Sequence, residues 1–334
     1  MRVGRTRGIV ATLCVLSAAA CVPALAATHR HKKKPATHTP SAKKRGATGP
    51  AGPTGPAGPT GPAGASWLRT VVVSPSASSA AGDGDLLEAA ASALAGEAAQ
   101  NGPYLLWIEP GSYDLGDSGL TIPAGVDVQG SGQDATTIES TASIALSVGG
   151  GEVRELTVKD SAAGATAIDT DGGLADVTAA ADGASGATAV RSGGSNAQLL
   201  DVTATALTSA NSSNVIAFDL SAPATIEGGS GTASSHVGGQ ASGVLAGGSA
   251  SISDTTLSAS GASQNYPIAM QTAGSTVTVT GSTLVGDGGF LVPTGATLDV
   301  GGSEVPDAGS AMVGTANCPD DWLPNFAIAG TSCT

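Results

Sequence analysis

The residues of this chain that are suited to chemistry recur with a regular spacing. Glu155, Asp176, Asp201, Gly228, Asp254, Gly281 and Gly302 each stand third in a six-residue pattern, apolar-x-(Asp/Glu/Gly)-x-x-apolar. A column of carboxylates could bind calcium or attack a glycosidic bond. Glycine does neither, yet it alternates here with aspartate. What the two share is tolerance of left-handed backbone, so their interchange predicts φ > 0 at a tight turn, an account that Glu155 fits less well. Asp169-Thr170-Asp171-Gly172 sets two carboxylates near one another. Glycoside hydrolysis needs such a pair at controlled separation, from each other or from Asp201, and an isolated surface turn accounts for the same four residues. Abstraction of a proton beside a carboxylate would need a free base. Arg154 and Arg191 are the only candidates in the rungs, Lys159 sits at a strand exit, and the place of Arg191 one repeat beyond Asp169 predicts a charge pair. His236 is the one histidine beyond His38. Cys318 and Cys333 form an even pair and are expected to make a disulfide worth about 3 kcal/mol. No histidine is near to complete a metal shell with them. Tyr104, Trp107 and Tyr113 cluster where core and cap packing explains them, and Trp322 and Phe326 lie between the two cysteines, suited to packing a cap. No glycine run is followed by the Lys and helix of a phosphate loop. The sequence therefore predicts no catalytic, binding or metal residue and no cofactor.

The elements that must hold these positions are short strands. The pattern reads VRELTV from Val153, LADVTA from Leu174, LLDVTA from Leu199, IEGGSG from Ile226, ISDTTL from Ile252, VTGSTL from Val279 and VGGSEV from Val300. The starts are 21, 25, 27, 26, 27 and 21 residues apart. Short strands at that period indicate the rungs of a β-solenoid. A second strand accompanies the rungs: IALSV at Ile144, AIDTD at Ala167, AVRSG at Ala189, AFDLS at Ala217 and IAMQT at Ile268. At about 4.8 Å per strand, roughly eight to ten rungs make a rod of about 40–50 Å. Ahead of them Trp67 to Val73 suits an entry strand. Asp85-Leu-Leu-Glu88 suits a helix start with Leu86, Leu87, Ala90, Ala91 and Leu94 on one face, and Asn101-Gly102-Pro103 suits its stop. A helix there would cover an open solenoid end.

PYLLWIEPGSYDL (Pro103 to Leu115) and LTIPAGVDVQGSGQDATTIES (Leu120 to Ser140) resemble the first turn of the pectin-lyase-like β-helix superfamily, which includes pectate lyases and pectin methylesterases. The resemblance implies an all-β fold: a right-handed parallel β-helix with an N-terminal capping helix, preceded by a collagen-like segment. Together with the export signal, the collagen-like run, VVVSP, VDVQGSG and the two-cysteine tail, these segments also resemble bacterial secreted proteins of the same layout. That resemblance brings no established activity with it. Asp169 to Gly172 matches one motif of the polygalacturonase branch, but the paired Asp-Asp, Gly-His-Gly and Arg-x-Lys of that branch do not accompany it in the repeats. The Arg-Pro-Trp and Asp-x-x-x-Gly elements of pectin methylesterases are missing from matching places as well.

The remaining segments speak to compartment and assembly. Residues 1–26 suit a signal peptide: Arg2, Arg5 and Arg7, then apolar Gly8 to Ala20, then Pro23 and Ala24-Leu25-Ala26, with cleavage after Ala26. Cys21 also fits a loose lipoprotein pattern, with Ala where Leu is usual. Residues 27–45 form a basic, disordered linker that could grip an anionic cell-surface polymer. From 46 to 66 glycine falls at every third position. Only glycine fits the axis of three polyproline chains, so the run suits a homotrimer about 65 Å long at ~3.1 Å per residue, with a single-chain spacer as the alternative. Residues 67–317 are assigned to the β-helix with its N-terminal cap and 318–334 to a C-terminal cap with the disulfide. All 27 acidic residues lie from Asp83 onward, and beyond the arm only Arg69, Arg154, Lys159 and Arg191 are basic. Such a body suits neither nucleic acid nor an anionic polysaccharide. The mature chain shows no transmembrane segment. The sequence thus points to a secreted or cell-surface structural or adhesive rod and leans away from an enzyme. The alternative is a polysaccharide-active lyase or glycoside hydrolase of the same fold, which fold by itself does not decide.

Overall fold

The structure, a computed structural model, describes residues 67–76, 79–211, 214–305 and 315–317. The expected signal, basic arm and collagen-like run, together with Cys318, Cys333, Trp322 and Phe326, lie outside the described residues.

The chain enters on strand β1 (Arg69–Val73) and continues into helix α1 (Ala80–Asn101) before strand β2 (Tyr104–Ile108) pairs with β1 in parallel. The helix begins five residues before the expected Asp85. Its cap is Ser79, whose Oγ accepts from the Gly82 amide at 3.1 Å and so satisfies one of the free donors of the first turn. Buried Asp83 stands in that turn, where the helix dipole favours a carboxylate, and it accepts from the amide of Ser76. Leu87, Ala91 and Leu94 are buried with Ala90 packed beside them, whereas Leu86 is exposed. The stripe Leu87–Ala91–Leu94 follows the i, i+4, i+7 rule, and Leu86 is turned about 100° away from Leu87.

From Tyr104 onward the chain winds as a right-handed parallel β-helix of three faces, all-β apart from the capping helix. Every rung places one strand on each face. The third face holds eight strands, from Leu120–Ile122 through Ala165–Thr170, Ala187–Ser192 and Val215–Leu220 to Phe290–Leu291, which sets the number of turns. Eight rungs at about 4.8 Å give a rod of about 40 Å, the lower end of the sequence expectation. The first two faces merge into one sheet, because strands such as Val153–Asp160 and Leu174–Asp182 run through the corner between them. The strand register reproduces the sequence repeat: Val153 pairs with Leu174, Leu174 with Leu199, Leu199 with Ile226, Ile226 with Ile252, Ile252 with Val279 and Val279 with Val300. Between Ile108 and Gly301 no connection between consecutive strands exceeds six residues, the longest running from Gln129 to Thr136.

The core is narrow and built from like stacked on like. Val153, Leu174, Leu199, Ile226, Ile252, Val279 and Val300 form one buried column, and Ala167, Ala189 and Ala217 form another. Among the described residues three large rings are fully buried as well: Tyr113, Phe218 and Phe290. Phe218 is fully buried, and it fits because the facing position is Gly231, where an added Cβ would stand 2.7 Å from the Phe218 ring. The Gly231→Ala substitution is expected to cost about 1–3 kcal/mol, because a ring held on all sides cannot give way. Urea unfolding of the two proteins measures this, and an unchanged midpoint contradicts it.

Candidate functional site

The seven recurring positions occupy the corner between the first and second faces, and all of them have positive φ. The values are +57° at Glu155, +52° at Asp176, +50° at Asp201, +72° at Gly228, +51° at Asp254, +59° at Gly281 and +63° at Gly302. Glu155, the residue that suited the turn account least, adopts the same conformation as the others. The corner is a one-residue left-handed turn, costly for most side chains and tolerated by Asp and Gly. Amides carry it from rung to rung: Asp201 N donates to Glu227 O at 2.9 Å, Gly228 N to Ser253 O at 3.0 Å and Asp254 N to Thr280 O at 3.1 Å. The carboxylate of Asp201 fills the space above Gly228, where a Cβ would stand 2.2 Å from Oδ1, and Asp254 lies over Gly281 in the same way at 2.7 Å. A shallow cavity of about 350 Å³ is lined by Leu200, Asp201, Glu227, Gly228 and Asp254. Calcium takes six to eight oxygens. No three acidic, histidine or cysteine side chains converge suitably for a metal ion here or elsewhere among the described residues.

Asp169 and Arg191 meet as the sequence predicts, with a second acid that the sequence did not reveal. Ala165–Thr170, Ala187–Ser192 and Val215–Leu220 are successive strands of the third face, and their register stacks Asp169, Arg191 and Asp219. Arg191 stands between the two acids, its NH1 at 3.8 Å from Asp169 Oδ2 and its Nε at 3.6 Å from Asp219 Oδ2. Burial raises both carboxyls, against the pull of the guanidinium; the neighbouring Asp171 raises Asp169 further, and Asp169 does the same to Asp219. The position where a nucleophile or water would sit between the acids is taken by the arginine. Beyond Asp219 the same flank turns apolar: Leu245, Tyr266 and Ala269 form a small cluster of their own with Ile216 and Leu291. Asp171 is exposed in its turn, and Gly172 beneath it would place a Cβ 1.9 Å from the carbonyl oxygen of Gly151. That glycine permits two rungs to touch.

The other cations are also engaged. Arg69 pairs with Glu97, Lys159 with Glu139 at 3.0 Å, and Arg154 with Glu152 at 3.3 Å and Asp127 at 4.0 Å. Arg154 also lies over the Trp67 ring, 5.6 Å from its centroid. Among the described residues every lysine and arginine therefore has an acidic partner, and His236 is exposed at the end of Ser230–Val237. Of the three clustered aromatics, Tyr104 and Tyr113 are buried. The Tyr113 hydroxyl donates to Glu109 O at 2.9 Å, and its pKa is pushed up to about 12 by burial and by Asp83 and Glu109. Trp107 departs from the packing expectation: it points outward and is exposed.

Asp160 escaped the sequence reading. It is buried at the end of its strand and accepts from the amides of Ala162 at 2.9 Å and Thr166 at 3.1 Å, so it closes a turn. Burial raises its pKa while these amides lower it. An aspartate followed by Ser-Ala-Ala-Gly is an Asx-turn signal and was the available clue. Ser192 is fully buried, and its Oγ finds no partner.

No protein-family model and no curated protein matches the chain. Among solved structures it is similar to pectin methylesterase PemA from Erwinia chrysanthemi, at 10% identity and a TM-score of 0.35, over 78% of this chain and 91% of that one. It is also similar to the Dettilon tailspike protein, at 11% identity and a TM-score of 0.42, over 71% and 57% of the two chains. A third is the A-module of mannuronan C-5 epimerase AlgE4 from Azotobacter vinelandii, at 12% identity and a TM-score of 0.32, over 74% and 96%. At these identities and scores the likeness carries no functional weight.

Two outcomes follow from this geometry. Asp201→Gly is expected to leave stability within about 1 kcal/mol, whereas Asp201→Val should lose roughly 1–2 kcal/mol to left-handed strain. Equal losses in chemical unfolding would mean that the carboxylate, not the turn, matters. Second, Asp160, Asp169 and Asp219 all bind protons more readily folded than unfolded. Their contribution is fully present below the unfolded carboxylate range of about pH 4 and is lost as pH climbs through the raised folded values. The acidic excess acts in the same direction. Calorimetry should show Tm falling as pH rises from about 4 toward neutral, with a flatter profile in Asp219→Asn; a Tm that climbs over that interval contradicts this.

Proposed function

We propose that this chain is an exported rod, structural or adhesive, that acts outside the cell or at its surface and carries no catalytic site. The observation that carries this is the shape of the rungs. Between Ile108 and Gly301 the connections are too short to build walls around a groove, and substrate-binding clefts need concave walls with convergent polar groups. The recurring acids serve the corner of the chain, and the lysines and arginines of the described residues are neutralised in pairs. Among the described residues a polymer of uronates would meet an acidic surface whose four cations are already paired.

The flanking segments support the same reading. The arginine-led apolar stretch supports export with cleavage after Ala26, and no helix among the described residues is long and apolar enough to cross a membrane. The glycine period from 46 to 66 supports a homotrimeric collagen-like stalk, and the basic arm ahead of it supports attachment to an anionic cell-surface polymer. Cys318 and Cys333 are proposed to close the C-terminal end by a disulfide.

The test is incubation of the secreted protein with pectate, alginate and other uronate-rich polymers, with and without calcium. No chain cleavage, demethylation or epimerisation is expected. A product that disappears in Asp169→Ala or Arg191→Ala would replace this reading with a polysaccharide-active enzyme.

A further inference from the structure

The outer side of the first face carries an apolar patch at the point where the collagen-like run joins the rod. Among the described residues, Leu68 is 70% exposed, Val72 55% and Trp107 37%. Val72 and Trp107 are direct partners in the pairing of β1 with β2, and Leu68 is exposed just ahead of β1. Along this row the next two rungs carry Gln129 and Arg154, so the patch is confined to the first two strands. On a body so rich in acids, the adjacent Val72 and Trp107, with Leu68 exposed at the entrance to the same strand, leave this end of the first face apolar.

The entry point is held rigidly. The Trp67 indole Nε1 donates to Asp127 Oδ2 at 2.8 Å, and Arg154 stacks on that ring while pairing with Asp127 and Glu152. Trp67 is thereby fastened to the flank of the third and fourth strands of this face, and the glycine-period run ends at residue 66, one residue earlier. If three copies are joined through the glycine-period run, the exposed apolar residues that follow it most closely in sequence are Leu68 and Val72. Each copy would then present Leu68, Val72 and Trp107 to a neighbour, and a head-to-tail contact repeated three times closes a ring.

We propose that Leu68, Val72 and Trp107 form the contact between three copies of this chain at the base of the rods, completing a trimer that the short collagen-like run begins. The proposal rests on the trimeric stalk proposed above. It explains why the clamp uses Trp67 and Arg154: burying apolar surface brings acidic bodies together only where the local charge is balanced, and Arg69 and Arg154 supply that balance beside the patch.

Sedimentation equilibrium of the full chain after export tests this, comparing the unaltered protein with the variant Leu68→Gln/Val72→Thr/Trp107→Gln. The unaltered chain should be a trimer. The variant should need a concentration on the order of a hundredfold higher to form it, since three buried apolar contacts per copy are lost, with an unchanged far-ultraviolet spectrum. A variant trimer as stable as the original overturns the proposed contact and leaves the stalk trimer standing. A monomer with or without residues 46–66 overturns both, and a closed dimer overturns the three-copy contact. Val72→Cys gives an independent measure if the triple variant fails to fold. A short bismaleimide should link copies of it in the trimer, and an unlinked trimer refutes the contact.

Discussion

Every rung of this molecule must return its chain to the same three directions, so that each strand lies directly on the one before it at hydrogen-bonding distance. Parallel pairing enforces this, because a strand slipped by one residue would turn its core side chains outward. The one-residue corner is what makes the return possible. A residue with φ near +55° turns the chain between the first and second faces without adding a loop, and its amide still donates to the next rung. Aspartate and glycine alternate there because both accept that backbone, and in two places the aspartate of one rung leans over the glycine of the next. The column of acids is thus a by-product of winding.

The same constraint shapes the core. Identical positions stack, so the interior is made largely of repeated small and branched residues, and Phe218 finds its space where the facing Gly231 gives it up. Polar groups at strand ends are absorbed in a similar way. Asp160 closes a turn through two amides, while Ser192 remains an orphan hydroxyl in the interior. Such a core is continuous along the rod, and neighbouring rungs, not distant loops, supply each residue's contacts.

What could be read from the sequence is what repeats locally. The six-residue pattern marks the corner, and its starts coincide with the strand register from Val153 to Val300. The turn conformation followed from the Asp/Gly interchange alone. Features that depend on one rung meeting another were harder to see. Asp169 and Arg191 are 22 residues apart and Arg191 and Asp219 are 28, so an acid on the far side of Arg191 cannot be located by a fixed period. The helix start moved from Asp85 to Ser79 because an aspartate-led capping pattern competed with a serine that is better placed. Trp107 was assigned to packing because aromatic residues near a first rung usually fill it. Its outward position is set by strict alternation between Leu106 and Ile108, which a register, not a composition, decides.

These constraints also bear on how such a scaffold takes on a role. A β-helix exposes three flat flanks whose rows of side chains are set by register, and chemistry arises on a flank when insertions at the turns wall off a groove and leave charged groups unpaired inside it. Here the turns stay at the length that winding demands, and among the described residues Arg154, Lys159 and Arg191 are answered by acids on the same or the adjacent rung. Arg191 is held between Asp169 and Asp219, while burial raises both carboxyls against its pull. The large apolar side chains that the first face leaves exposed among the described residues include Val72 and Trp107, which pair on its first two strands, outside the continuous core.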